Sequence, residues 1–351
     1  VVFFSFYAYL YMTNPSIMKT LNLKLLILLV SSVCLFSCRK EDIDNSGPQT
    51  PQAPASLTPA PNEIAEITKD FAFAVLCISD IDQMMGMTAD DQLNHFYMEQ
   101  PGTSSAGTGT VTVIRDLTIG RISSSFNNTR CLDGKLRNGT VAMLYQLLST
   151  PTPDHYREPG FAGAIDLLNY LVDGWRIQLF DPNVSAVITN NTPLNFNPAQ
   201  TNITWSISGK FKFLHPSDVN RDLIWEGTLI KTLMNTADTN VYSPSKKTIN
   251  WNLAKTRLSG TINGTRATNN NFTYTIDNAF PLDRNFTCGI SPSTFTLSTQ
   301  FHPFVSGLTN LTLANSNGQI SNHNDFSNST SPACDNNGTV KVNGVTYSVD
   351  F

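Results

Sequence analysis

Across Asn202–Leu214 apolar and polar side chains alternate: Ile203, Trp205, Ile207, Phe211 and Phe213 on one parity, with Thr204, Ser206, Ser208, Lys210 and Lys212 between them. A period of two is that of an extended strand with one face in a core and the other in water. The same pattern returns in Leu258, Gly260 and Ile262, and in Phe272, Tyr274 and Ile276. Val340 and Val342 lead into Asn343-Gly344, and Val345, Tyr347, Val349 and Phe351 follow. Asn-Gly between two alternating runs is a strong hairpin signal, because both turn residues take positive φ. Asp173-Gly174 marks a second hairpin, between Ile165–Val172 and Trp175–Phe180. From about residue 110 onward the chain reads as roughly a dozen strands with no helices alternating between them, which excludes a parallel βαβ sheet. The expected fold is mainly β: an N-terminal helix followed by a large antiparallel β-sandwich or rolled sheet over residues 107–351.

One convincing helix precedes the strands. Ile64, Ile67, Phe71, Val75 and Ile78 recur at helical spacing, Asn62 stands where a cap would, and Glu63 and Glu66 suit the positive end of the helix dipole. The pattern predicts a helix from Asn62 to about Met85, within a helical segment spanning 62–100. Residues 45–61 are rich in Pro, Ser, Gln and Ala and read as an extended tether.

The N-terminal region reads as an address rather than as structure. Met18-Lys19 opens a basic stretch, Leu25–Val30 form an apolar run, and the run ends in Leu35-Phe36-Ser37-Cys38. This is the pattern of a bacterial lipoprotein signal peptide over 18–37. Its Cys38 would be cleaved to the first position and carry the lipid, a diacylglyceryl group with palmitate-type chains. The apolar stretch of about 10 to 14 residues falls short of the roughly 20 that a spanning helix needs. Residues 1–17 read as an over-long gene start, with Met18 the true beginning, and 38–61 as the lipidated Cys with its tether. After Cys38, Arg39-Lys40-Glu41-Asp42 resembles the signal that carries lipoproteins of the Bacteroidetes to the cell surface. The expected location is the outer membrane, lipid-anchored and facing the exterior.

Composition narrows the partners. Charged residues are 14% of the chain, against about 25% in a typical soluble protein. The net charge is −4 with no Lys/Arg run, so nothing is built to neutralise phosphates and a nucleic-acid partner is not expected. Cys77, Cys131, Cys288 and Cys334 form no C-x-x-C pair, so a structural zinc site is not expected. In an exported chain four cysteines suggest disulfides, with three connectivities open. Cys288–Cys334 is the preferred pair, and Cys77, on the apolar helix, reads alternatively as a buried thiol. No metal-spaced histidines, nucleophile elbow, phosphate loop or dinucleotide fingerprint occurs, and no cofactor is expected. Asp80-x-Asp82 and Asp335-Asn336-Asn337-Gly338 could offer oxygens to calcium, but tight turns explain them better. Trp175, Trp205, Trp225 and Trp251 all fall in predicted strands and read as core.

Cys131-Leu132-Asp133-Gly134-Lys135-Leu136-Arg137-Asn138-Gly139, followed by a strand, resembles the C-x-D-G-x-x-R-x-G element of a family of Bacteroidetes lipoproteins of unknown function. Asn169-Tyr170, Trp251 ahead of Arg257 and Gly260, Pro281-Leu282 before Cys288, and Cys334-Asp335-Asn336 before Asn343-Gly344 follow in similar order. The resemblance runs from about residue 60 to the C-terminus. It implies a surface or periplasmic β-rich lipoprotein and transfers no functional residue.

The favoured function is a non-catalytic, lipid-anchored protein that binds a glycan or a surface protein, or acts structurally. The alternative is an exported hydrolase acting on glycans through a carboxylate pair without a motif. One residue constellation is expected to be a structural clasp: Asp133, in a tight turn with Gly134, caps backbone N–H groups, and Arg137 pairs with Asp335, which joins an early strand to the C-terminal hairpin.

Overall fold

The computed structural model describes residues 61–82, 110–116, 118–131, 135–145, 156–245, 248–251, 253–266, 270–286, 304–315, 318–325, 337–342 and 344–350. A helix, α1 (Pro61–Ser79), is followed by β1 (Val111–Asp116), β2 (Arg121–Arg130), β3 (Leu136–Tyr145), β4 (Ala162–Val172), β5 (Trp175–Leu179) and β6 (Ala186–Asn190). Then come β7 (Ile203–Leu214), β8 (Leu223–Leu233), β9 (Tyr242–Ser243), β10 (Thr248–Ile249), β11 (Lys255–Arg266) and β12 (Asn270–Ile276). The chain ends in β13 (Leu282–Asn285), β14 (Leu308–Asn315), β15 (Gly318–Asp325), β16 (Asn337–Val342) and β17 (Val345–Asp350). The fold is mainly β, as the alternation predicts.

All but β9 and β10 join one antiparallel sheet, in the order β1-β2-β3-β4-β5-β7-β8-β11-β12-β14-β15-β16-β17. Two places in it are each filled by two short strands. β5 and β6 share the position between β4 and β7, and β12 and β13 share one edge of β11.

The sheet is rolled around α1. The helix reaches β5 through Phe73 on Trp175 and β12 through Phe71 on Phe272 and Tyr274, and it also touches β17. From β5 to β17 is eight strand spacings along the sheet order, roughly 38 Å if flat. A helix about 10–12 Å across meets both only if the sheet curls around it. Burial follows. Ile64, Ile67, Phe71, Ala74, Val75 and Ile78 face the core, and from Asp70 to Asp82 every residue but Phe73 is buried. A helix whose second half is buried all round, with exposure confined to Asn62, Glu63, Glu66 and Lys69 near its start, ends inside the core rather than on a surface.

The helix is shorter than the apolar spacing predicts. It starts with Pro61, favourable at a first helical position, so Asn62 lies inside the first turn. It ends at Ser79, and a turn carries the chain through Asp80 to Asp82. Ile81 continues the apolar spacing, so periodicity alone carries the expected helix past its end. Trp175, Trp205, Trp225 and Trp251 are all buried. Trp251, however, sits in a turn after β10 rather than in a strand. Both expected hairpins form: Asp173 (φ 49°) and Gly174 (φ 84°) connect β4 to β5, and β16 pairs with β17 across Asn343-Gly344.

Candidate functional site

The shared position between β4 and β7 opens a groove of about 360 Å³ on the outer face of the sheet. β4 pairs with β6 through Ala162–Ile165 and with β5 through Tyr170–Val172, which leaves Asp166–Leu168 paired to β3 alone and Asn169 outside either register. A bulge accompanies the gap. Gly139 (φ 82°) on β3 packs against Asn169 (φ 49°), and a Cβ on Gly139 would lie 2.1 Å from the Asn169 carbonyl oxygen. The register shifts there, and Leu168 and Asn169 are both exposed.

Asp166 and Asn169 come from β4, Arg176 and Gln178 from β5, and Lys212 from β7. Gln178 and Lys212 are direct cross-strand partners. Phe180 closes β5, its N–H bonded to the Lys210 carbonyl, and its ring is 37% exposed. Lys210 and Lys212 bring their ammonium groups 4.3 and 4.6 Å from its centroid. Lys210 is neutralised by Glu226 at 2.8 Å, which leaves Arg176 and Lys212 as the groove's cations against one acid, Asp166. Leu168, 62% exposed, adds apolar surface. An exposed groove with one guanidinium, one ammonium, two amides and one carboxylate around an apolar floor can order hydroxyls and an anionic group while holding a C–H face.

Two further described clefts have a different make-up. One, of about 300 Å³ along β11 and β13, holds Asp283 bound to Arg257, with Nε donating to Oδ1 at 2.7 Å and Nη2 to Oδ2 at 3.1 Å. The other, of about 420 Å³, is lined by Glu158, Phe196 and Tyr242 over the buried Arg157. Each of the three clefts has a single carboxylate among its lining residues.

Beneath the sheet, polar groups meet the buried end of α1. Lys231 of β8 donates to the Ser79 carbonyl at 3.0 Å and to Asp82 Oδ1 and Oδ2 at 2.8 and 3.1 Å. The helix has no basic residue in its last turn, so this ammonium from the sheet is what answers the negative end of its dipole. Asp80 is paired with Arg284 of β13. Tyr156 donates to Asp82 Oδ2 at 3.5 Å and stacks on Trp205, whose Nε1 donates to the Tyr156 carbonyl at 2.8 Å. Burial raises the Asp82 carboxyl above the usual carboxylate range, outweighing the opposing charge of Lys231. Burial, with the Asp82 charge beside it, holds the Tyr156 hydroxyl well above its ordinary value. Asp80-x-Asp82 was legible as a pair of turn acids, but nothing local announced their cations, which arrive from 204 and 149 residues away.

Of the residues the sequence singles out, Arg137 is buried on β3, and its Nε donates to the Tyr170 hydroxyl at 3.2 Å. Asp173, at the β4–β5 turn, binds the start of that strand. It accepts from the Leu136 N–H at 2.8 Å and pairs with Lys135 at 3.6 Å. Asp133, Asp335, Cys38, Cys288 and Cys334 lie outside the described residues. Cys77 and Cys131 are buried thiols, which removes both from the disulfide connectivities that the cysteine count allows. Among the described residues, no group of acids, histidines and cysteines has the makings of a metal site, and no helix is long and apolar enough to cross a membrane. No family model, curated protein or solved structure matches this chain.

Proposed function

We propose that the chain is an exported lipoprotein, anchored through Cys38 to the outer membrane and facing the exterior, whose groove between β4, β5 and β7 binds a saccharide carrying an anionic group without transforming it. The observation that carries the reading is the convergence of Arg176, Lys212, Asn169, Gln178 and Asp166 around Leu168 and Phe180. Two cations supply the anion subsite, the amides and Asp166 serve hydroxyls, and the apolar patch takes the sugar's C–H face. The anchor rests on the Leu35-Phe36-Ser37-Cys38 signal and the Pro-rich tether that follows it. A hydrolase of the common kind needs two carboxylates about 5–9.5 Å apart flanking one bond, and this groove offers one.

The test is calorimetric titration of the full-length protein with neutral and uronate-containing oligosaccharides. Binding of the acidic ligand should weaken by at least about tenfold in Arg176→Ala/Lys212→Ala, the loss of about 1.4 kcal/mol. The melting temperature should hold, since both side chains are on the water-facing side. Equal affinity for neutral and acidic sugars, or no binding to either, would overturn the site. Cleavage of the bound oligosaccharide would overturn the non-catalytic reading.

A further inference from the structure

We infer that Lys231 and Asp82 are the two halves of an intramolecular isopeptide bond that fastens the end of the central helix to strand β8. Nζ lies 2.8 and 3.1 Å from the two carboxylate oxygens, and so faces the carboxyl carbon between them. Both contacts are to the oxygens, edge-on to the carboxylate, so attack needs only a turn of the Asp82 carboxyl about Cβ–Cγ to present its face to the nitrogen. Both side chains are sealed from solvent, and the ammonium lies 5.0 Å from the centroid of the buried Trp251 ring. The proposed reaction opens with transfer of one proton from the Lys231 ammonium to the Asp82 carboxylate, since burial penalises the charges of both.

The amine nitrogen then attacks Cγ of Asp82. The C–N bond forms as the carbonyl π bond opens, and the amine proton passes to the departing hydroxyl, which leaves as water. The balance is one ammonium and one carboxylate giving one secondary amide and one water, with no oxidant, nucleotide or other reactant. Tyr156 donates to Oδ2 from 3.5 Å, on the oxygen where charge develops in the tetrahedral state, and burial keeps its proton on the hydroxyl. The amide N–H that remains on Lys231 still serves the Ser79 carbonyl, so the helix end keeps its partner after the bond forms. Asp80, two residues away, is held by Arg284, and its negative charge also favours the neutral acid at Asp82.

The bond would close a covalent loop across 149 residues and lock the core helix into the sheet that wraps it. Removing that much freedom from the unfolded chain is the means by which a cross-link stabilises, and an amide is indifferent to redox conditions. For an extracellular protein with buried thiols at Cys77 and Cys131, it supplies what disulfides supply elsewhere.

The experiment is mass spectrometry on the folded, full-length protein. The wild-type polypeptide should weigh one water less than its sequence with its lipid, and trypsin should release a branched peptide joining Asp82 to an uncleaved Lys231. Lys231→Arg, which keeps the charge but has no nucleophilic amine, should show the full mass, as should Asp82→Ala. A wild-type digest holding the two peptides separate, as a plain ion pair would leave them, overturns the inference. So does a water loss that persists in Lys231→Arg. Neither result bears on saccharide binding, which is read on the opposite face of the sheet.

Discussion

Arg221, in the turn between β7 and β8, grips Asp70 of the central helix through one edge of its guanidinium, Nε donating to Oδ2 at 3.1 Å and Nη2 to Oδ1. Arg266 of β11 stands 3.7 Å from the same carboxylate. Asp70 is buried while Arg221 stays partly open to water, so the two sides of the pair fare differently. Burial raises the Asp70 carboxyl above 3.8 despite both cations, whereas the Asp70 hydrogen bond raises the Arg221 guanidinium. Removing the cation therefore harms the fold more than removing the charge it serves. Arg221→Ala should be more destabilising than Asp70→Asn at neutral pH. A carboxyl whose native value lies above its unfolded one gains stability as pH falls through the native value, and the gain is complete below the unfolded value. The deficit of Arg221→Ala should thus shrink as pH is lowered toward 3.8. Urea melts at stepped pH read it directly, and a deficit that grows on acidification would contradict the assignment.

Gly139 should tolerate no side chain. Its φ of 82° suits glycine, and an added Cβ would meet the Asn169 backbone rather than a movable side chain. Gly139→Ala should cost about 2 kcal/mol or more. Because Asn169 also lines the groove, saccharide affinity should fall with it. An unchanged denaturation midpoint would show that the bulge is slack.

Arg137 is expected to be structural. Truncation to Ala would remove the guanidinium N–H that donates to the Tyr170 hydroxyl and empty the space held by a buried stem, a loss of about 1–3 kcal/mol. The clasp proposed from the sequence adds a second arm: in a double-mutant cycle, Asp335→Ala and Arg137→Ala should couple. Additive melting temperatures would remove Asp335 from the clasp and leave the Tyr170 contact standing.

Lipid attachment has a direct readout. Labelled palmitate should enter the wild-type protein in cells and not Cys38→Ala. Equal labelling of the two would remove the anchor from the proposed function while leaving the groove untouched.

A chain beginning at Pro61 should melt cooperatively with a β-type circular dichroism spectrum. The helix starts at that residue, and the core that surrounds it is drawn from later strands. A chain beginning after Asp82 should fail to fold, because a rolled sheet without its central helix would expose the apolar lining formed by Phe272, Tyr274 and Trp175.

The features legible along the chain are those that act within a few residues. Alternation placed Trp205, Phe211 and Phe213 on the buried face and Lys210 and Lys212 on the wet one, because side chains of an extended chain can only point to opposite sides. Asp173-Gly174 and Asn343-Gly344 set two hairpins, because few residues accept positive φ. Helical spacing found α1, but not its depth, since the same apolar stripe serves a helix lying on a sheet and one enclosed by it. Tertiary structure alone decided that the sheet rolls around the helix. It also decided that β5 and β6 share one position and so open the groove, and that Asp82 meets Lys231 while Asp80 meets Arg284. The physical reason is that local patterning reports which face avoids water, whereas the partner a buried charge will meet depends on chain closures of 149 and 204 residues. No property of either residue's neighbours in sequence encodes those meetings.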